Sequence, residues 1–144
     1  MQSSVRDNYL ATEAMTAAPQ KLQLMLIDGA IRFIQTARQH RQAGRDEQAG
    51  EAIVRCQEIV TELICGLNPT VQPELVRKIR GVYMFVFRTL TAAHVQNDDD
   101  QLAKALKILE IERDTWREVC QRFSAPAPLS IAAELPHESF SLEA

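Results

Sequence analysis

The histidine, cysteine and acidic side chains are the groups in this chain with chemical potential, and their spacing decides what they can do. Helical bundles build di-metal carboxylate centres from two Glu-x-x-His pairs on facing helices, completed by glutamates from the other two helices. One match exists here, Glu134-Leu135-Pro136-His137, alone in a proline-broken segment; it reads as coincidence. His40 and His94 fall near helix ends with no Cys or carboxylate at zinc-ligand spacing. Both read as surface or boundary residues. Asn97-Asp98-Asp99-Asp100 offers carboxylates to a cation, but no further oxygen ligands follow at calcium-loop spacing. The same residues suit a helix start, where carboxylates meet the positive end of the helix dipole. There is neither a glycine-rich phosphate loop nor a nucleophile elbow. These patterns predict no enzyme, no cofactor and no metal.

Two other features are structural at first sight. Cys56, Cys65 and Cys120 make an odd count in apolar, helix-periodic surroundings. They are expected as buried, reduced thiols of a cytoplasmic protein. Asp28-Gly29 is a polar-plus-glycine pair inside a helical stretch. Glycine there costs about 1 kcal/mol relative to alanine, a cost that close helix–helix approach can offset. Gly29 is therefore read as a packing residue. Asp28 is either a cap for a neighbouring segment or a site residue.

Elements must position all of these groups, and composition bounds what the elements can be. The 144 residues suit one domain with a real core. Hydrophobic residues are 46% and charged residues 24%, while glycine (5) and proline (6) are scarce; this suits a helical globular protein. A net charge of −3 and pI near 5.6 argue against a nucleic-acid partner, which calls for a basic face. The N-terminus has no apolar signal-peptide core, and no apolar run approaches ~20 residues. A cytoplasmic protein without membrane insertion is expected.

Residues 1–15 read as an irregular arm carrying Tyr9 and Leu10. Thr16 is placed to cap a first helix with Pro19 in its first turn. That helix runs to about Gly44, with Leu22, Leu26, Ala30, Phe33 and Ala37 as its stripe and Met25, Ile27, Ile31 and Ile34 beside it. Asp46 can cap a second helix over about 47–67, where Ala49, Ile53, Cys56, Val60 and Leu63 keep helical period. Asn68-Pro69 and Pro73 break the chain. A third helix over 73–96 places Leu75, Ile79, Val82, Val86, Leu90 and Ala93 on one stripe. A fourth spans about 99–123 through Leu102, Leu106, Leu109, Trp116, Cys120 and Phe123. From Ser124 the texture turns to Ala-Pro-Ala-Pro and scattered apolar residues, read as a disordered tail over 124–144. Short loops between long helices predict an all-α, antiparallel up-down four-helix bundle over 16–123.

The apolar faces are wider than four helices need. A bundle helix requires about three apolar positions in seven, yet Lys21–Ala37 holds ten in seventeen. Ile59, Ile64, Phe85, Phe87, Ile108 and Ile111 are similar surplus. Three readings stay open: large core side chains with ordinary exposed ones, a groove for an apolar segment of another protein, or a dimer interface.

Several stretches are shared with a known family. Tyr9…Thr12, Thr16-Ala17-Ala18-Pro19-Gln20-Lys21-Leu22 and Met25-Leu26-Ile27-Asp28-Gly29-Ala30-Ile31-Arg32-Phe33 resemble the flagellin export chaperone family, FliS, with its pattern T-A-S-P-x-K-L…M-L-Y-D-G-A-I-K-F. Ile53…Gln57-Glu58-Ile59-Val60…Glu62-Leu63…Leu67-Asn68 is similar to its second-helix pattern. Tyr83, Leu90, Asp98–Asp100 and Trp116 fit more loosely. The resemblance covers about residues 5–123. Ile27 stands where the family usually has tyrosine, Ala18 replaces a common serine, the Pro69–Pro73 loop lacks a glycine pair, and the tail is longer.

The resemblance implies a cytoplasmic chaperone that binds the C-terminal, assembly-prone segment of flagellin, prevents premature polymerisation and keeps it competent for type III export. It also allows an export-gate component as a second partner. The protein itself is expected as a monomer or weak homodimer. Carried over by motif, Tyr9 is a latch and partner contact, with Leu10 beside it in a lid. Gln57 is a polar group in the groove, and Leu26, Ile53, Val60, Ile64, Ile108 and Ile111 are apolar contacts. Thr16, Pro19, Asp28 and Gly29 serve the bundle. Two alternatives compete: a helical dimer or assembly subunit with a different partner, and a metalloenzyme bundle.

Overall fold

The computed structural model describes residues 19–70 and 72–124. The expected arm with Tyr9 and Leu10, the Thr16 cap and the tail beyond Ser124 lie outside the described residues. Four helices follow in order: α1 (Pro19–Gln42), α2 (Asp46–Cys65), α3 (Pro73–Gln96) and α4 (Asp99–Ser124). No strand occurs among the described residues. The neighbours around the bundle are α1–α2, α2–α3, α3–α4 and α4–α1. Short connections make each chain neighbour antiparallel, which gives the expected up-down four-helix bundle.

Local chemistry accounts for the helix limits. Pro19 and Pro73 open α1 and α3, where a missing N–H costs nothing. α1 stops at Gly44, whose φ of +78° is left-handed. Gly44 N–H donates to Arg41 O at 3.0 Å and Arg45 N–H to His40 O at 2.8 Å, which satisfies the last carbonyls. Asp46 was expected as the cap of α2 but is its first helical residue. Arg45 occupies the cap position without a side-chain capping bond; its Nε donates instead to His40 Nδ1 at 2.9 Å. Asp46 and Glu47 serve the helix dipole from the first turn. In the acidic turn, Asp98 Oδ1 accepts from Asp100 N–H at 2.9 Å, so Asp98 caps α4.

The core runs through all four helices, but two stripes are rotated from expectation. In α1 the buried row is Ile27, Ala30, Ile31, Ile34 and Ala37, while Leu22, Leu26 and Phe33 are half-buried. In α3, Val76, Tyr83, Val86, Leu90 and Ala93 are buried, whereas Leu75 is 49% exposed and Ile79 and Val82 are half-buried. The Val76–Tyr83–Leu90 row keeps a seven-residue step along the seam, and the row one residue earlier is turned about 100° away. Tyr83 can occupy the core because its hydroxyl has Glu112 Oε1 at 3.5 Å. The cysteines also differ from expectation. Only Cys56 is buried; Cys65 is exposed and Cys120 intermediate. Cys65 is the last residue of α2, where the core ends.

Candidate partner-binding surface

The residues proposed for partner contact do not share one face. Ile53 and Val60 are 0% exposed and belong to the core. Leu26, Ile64 and Ile108 are half-buried and pack against that core. Gln57 lies in the α2–α3 seam. Its Nε2 donates to Phe87 O at 3.2 Å and to Thr91 Oγ1 at 2.8 Å, so the amide ties two helices together. Ile111 stands out at 56% exposed. At Gly29 a Cβ would lie 3.3 Å from Ile59 Cδ1, where α1 faces α2.

Two apolar rows reach solvent on either side of α3. On the α4 side, Val82 and Phe85 are spaced three apart, as are Ile108 and Ile111 on α4, so each pair shares a helix face. The Tyr83–Glu112 contact fixes the register and brings Phe85 level with Ile108 and Ile111. Phe85 is 42% exposed. Burial pushes the Tyr83 hydroxyl up, and the nearby Glu112 charge adds to this. Burial likewise raises the Glu112 carboxyl, against the lowering effect of the Tyr83 hydrogen bond. On the α2 side, Met84 and Val95 of α3 are 40% and 76% exposed, and Val54 of α2 is 41% exposed. The Gln57–Thr91 bond runs between them.

The third feature is a cleft of ≈ 520 Å³ at the end of the bundle where α1 and α3 begin and α2 and α4 finish. Leu67, Leu75, Val76, Ile79, Trp116 and Val119 give it apolar walls, and none of its lining residues is charged. Gln23 lines it too. That side chain is 8% exposed, and its Oε1 is buried with no donor. A buried unpaired acceptor costs about 1–3 kcal/mol.

Sequence reasoning identified Phe85, Ile108 and Ile111 as surplus apolar positions. It missed Leu75, which it assigned to the core, and Val54, Met84 and Val95. The available signal for the cleft was a glutamine, Gln23, set between Leu22 and Leu24 on an otherwise apolar helix.

The opposite end is stitched by polar contacts. Arg38 of α1 grips Asp99 of α4 with Nε–Oδ1 3.1 Å and Nη2–Oδ2 3.0 Å. That hydrogen bond, the largest influence, raises the guanidinium pKa further. Arg41 donates to Ala93 O at 3.3 Å and Asn97 Oδ1 at 3.4 Å. Among the described residues no group of His, Cys, Asp and Glu is arranged to hold a metal ion. No helix among them is long and apolar enough to cross a membrane. The surface offers apolar area for another chain.

Comparison with known proteins adds the family. The chain is similar to proteins named flagellar secretion chaperone FliS. It is 31% identical to that of Bacillus subtilis (strain 168), over 78% of this chain and 84% of the relative. It is 28% identical to that of Campylobacter jejuni, over 83% and 94%, and 26% identical to that of Salmonella typhimurium, over 76% and 82%. The model of the family described as flagellar protein FliS matches residues 1–123. With its helical bundle, its apolar outer rows and that match, the chain belongs to the FliS family.

Proposed function

We propose that this protein is a cytoplasmic flagellar secretion chaperone, without catalytic activity, that binds the C-terminal assembly-prone segment of flagellin. Binding covers apolar helix-forming surface, prevents premature polymerisation and keeps the subunit competent for type III export. The observation that carries this reading is the exposed pair Phe85 and Ile111 on α3 and α4, flanked by half-buried Val82 and Ile108, in a chain of a family whose named relatives are secretion chaperones. Exposed apolar side chains at helical spacing are what an amphipathic partner helix needs as a seat. Phe85 and Ile111 supply the central contacts, flanked by Val82 and Ile108. Ile53 and Val60 act only as core residues that hold α2 in the bundle.

The test is calorimetric titration of the purified chain with the C-terminal segment of flagellin. One-to-one binding with a negative heat-capacity change is expected, because a disordered segment orders as it buries apolar surface. A well-behaved segment that gives no heat and no complex would overturn the reading. Sedimentation tests the competing homodimer: a monomer that becomes a one-to-one complex excludes it, and a dimer that buries Phe85 and Ile111 replaces the chaperone reading.

A further inference from the structure

From the end cleft and the composition of the chain beyond α4, we infer that residues 125–135 dock back into that cleft as an occupant built into the protein itself. The cleft has a chemical demand. Its walls are Leu67, Leu75, Val76, Ile79, Trp116 and Val119, with no charged lining residue. Its one buried polar atom without a partner, Gln23 Oε1, needs a donor. An extended peptide supplies both, with side chains for the walls and a backbone N–H for the oxygen.

The chain after Ser124 has the matching composition. Residues 125–133 read Ala-Pro-Ala-Pro-Leu-Ser-Ile-Ala-Ala, without a charge until Glu134. In an extended segment Leu129 and Ile131 point to the same side. Reach is sufficient. Val119 lies five residues before Ser124, about 7.5 Å along a helix. Ala125–Pro128 in proline-rich extended form spans about 12 Å. Leu129 can therefore turn back to the Trp116–Val119 wall. The tether also relaxes the affinity required, because a short linker holds the segment at an effective concentration on the order of millimolar. The other chain end near the cleft, residues 1–18, carries Arg6, Asp7 and Glu13 and has only five uncharged residues before Pro19. Its uncharged run Asn8–Thr12, with Tyr9 and Leu10, makes it the competing occupant that the experiment separates. The family match ends at residue 123, so this segment is a property of this chain beyond what the family match covers.

Trp116 is the chain's sole tryptophan and lines the cleft, so its fluorescence reads occupancy. The experiment compares the full chain, its Leu129→Asp/Ile131→Asp variant and a chain ending at Ser124. The expected result is a red-shifted emission and stronger acrylamide quenching in both altered proteins, with unchanged far-UV helicity. A synthetic peptide of residues 125–135 added to the shortened chain restores the blue-shifted, protected state. Equal emission and quenching in all three proteins overturns the inference. So does exposure of Trp116 on removing residues 1–15 but not on altering the tail, which makes the arm the occupant. A protection that fades on dilution of the full chain also overturns it, in favour of a second copy.

Discussion

At the residue scale, Ile53 and Ile111 separate stability from binding. Ile53 is 0% exposed and Ile111 56%. Ile53→Ala leaves a core cavity and is expected to lower the unfolding free energy by about 2–5 kcal/mol, read from urea denaturation. Ile111→Asp lies on the surface and should shift stability by less than ~0.5 kcal/mol, while weakening flagellin-segment binding at least tenfold by calorimetry, an effect of about 1.4 kcal/mol. The cysteines give a second readout of position. Cys56 is buried, its Sγ donates to Ala30 O at 3.4 Å, and burial pushes its thiol up to about 12. A water-soluble maleimide at pH 7.5 should label Cys65 first, Cys120 more slowly, and Cys56 only when the bundle opens. Mass spectrometry over a time course tests that order; early labelling at Cys56 contradicts the burial.

At the scale of the elements, the α3–α4 seam carries a pH signature. Burial raises the Glu112 carboxyl above its ordinary 4.5. Between that value and the folded pKa, the native state binds more protons than the unfolded one. Stability therefore falls as pH rises through this window. Glu112→Gln should be more stable than the parent at pH 7 and nearly equal at pH 4, as measured by thermal melts across pH. The α1–α2 connection makes a different demand: Gly44 sits at φ +78°. Gly44→Ala forces a left-handed alanine and should cost about 1 kcal/mol, with Gly44→Asn milder because asparagine tolerates that conformation. These elements were largely legible in sequence, since prolines, Gly44 and Asp98–Asp100 punctuate the chain by local rules. The facing of each helix was less so. Leu75–Ile79–Val82 and Val76–Tyr83–Leu90 are both apolar rows, and polar partners on another helix, Glu112 and Trp116, let a tyrosine take the core. The surplus Phe85, Ile108 and Ile111 were visible because they exceed what a core can use. The end cleft was not, because it depends on how four helix ends meet.

For the whole molecule, the two ends of the bundle are built on different physics. At one end Arg38 and Arg41 hold Asp99, Ala93 and Asn97 from across the bundle. The Arg38–Asp99 side chains remain 30% and 38% exposed, so solvent screening keeps the pair to at most about 1 kcal/mol. Its weight is geometric, since it joins α1 to the start of α4 while Arg41 joins α1 to the end of α3. The other end has an apolar cleft, an unpaired Gln23 oxygen and no such cross-bundle clamp among its lining residues. A bundle clamped at one end opens like a clothes-peg. Amide hydrogen exchange should then be graded along every helix, slow near Ala37, Ala52, Ala93 and Leu102 and faster near Gln23, Leu63, Val76 and Trp116. Arg41→Ala should flatten that gradient. Such grading lets the helices part at the cleft without global unfolding, so an incoming chain can enter by wedging rather than by waiting for a vacant seat.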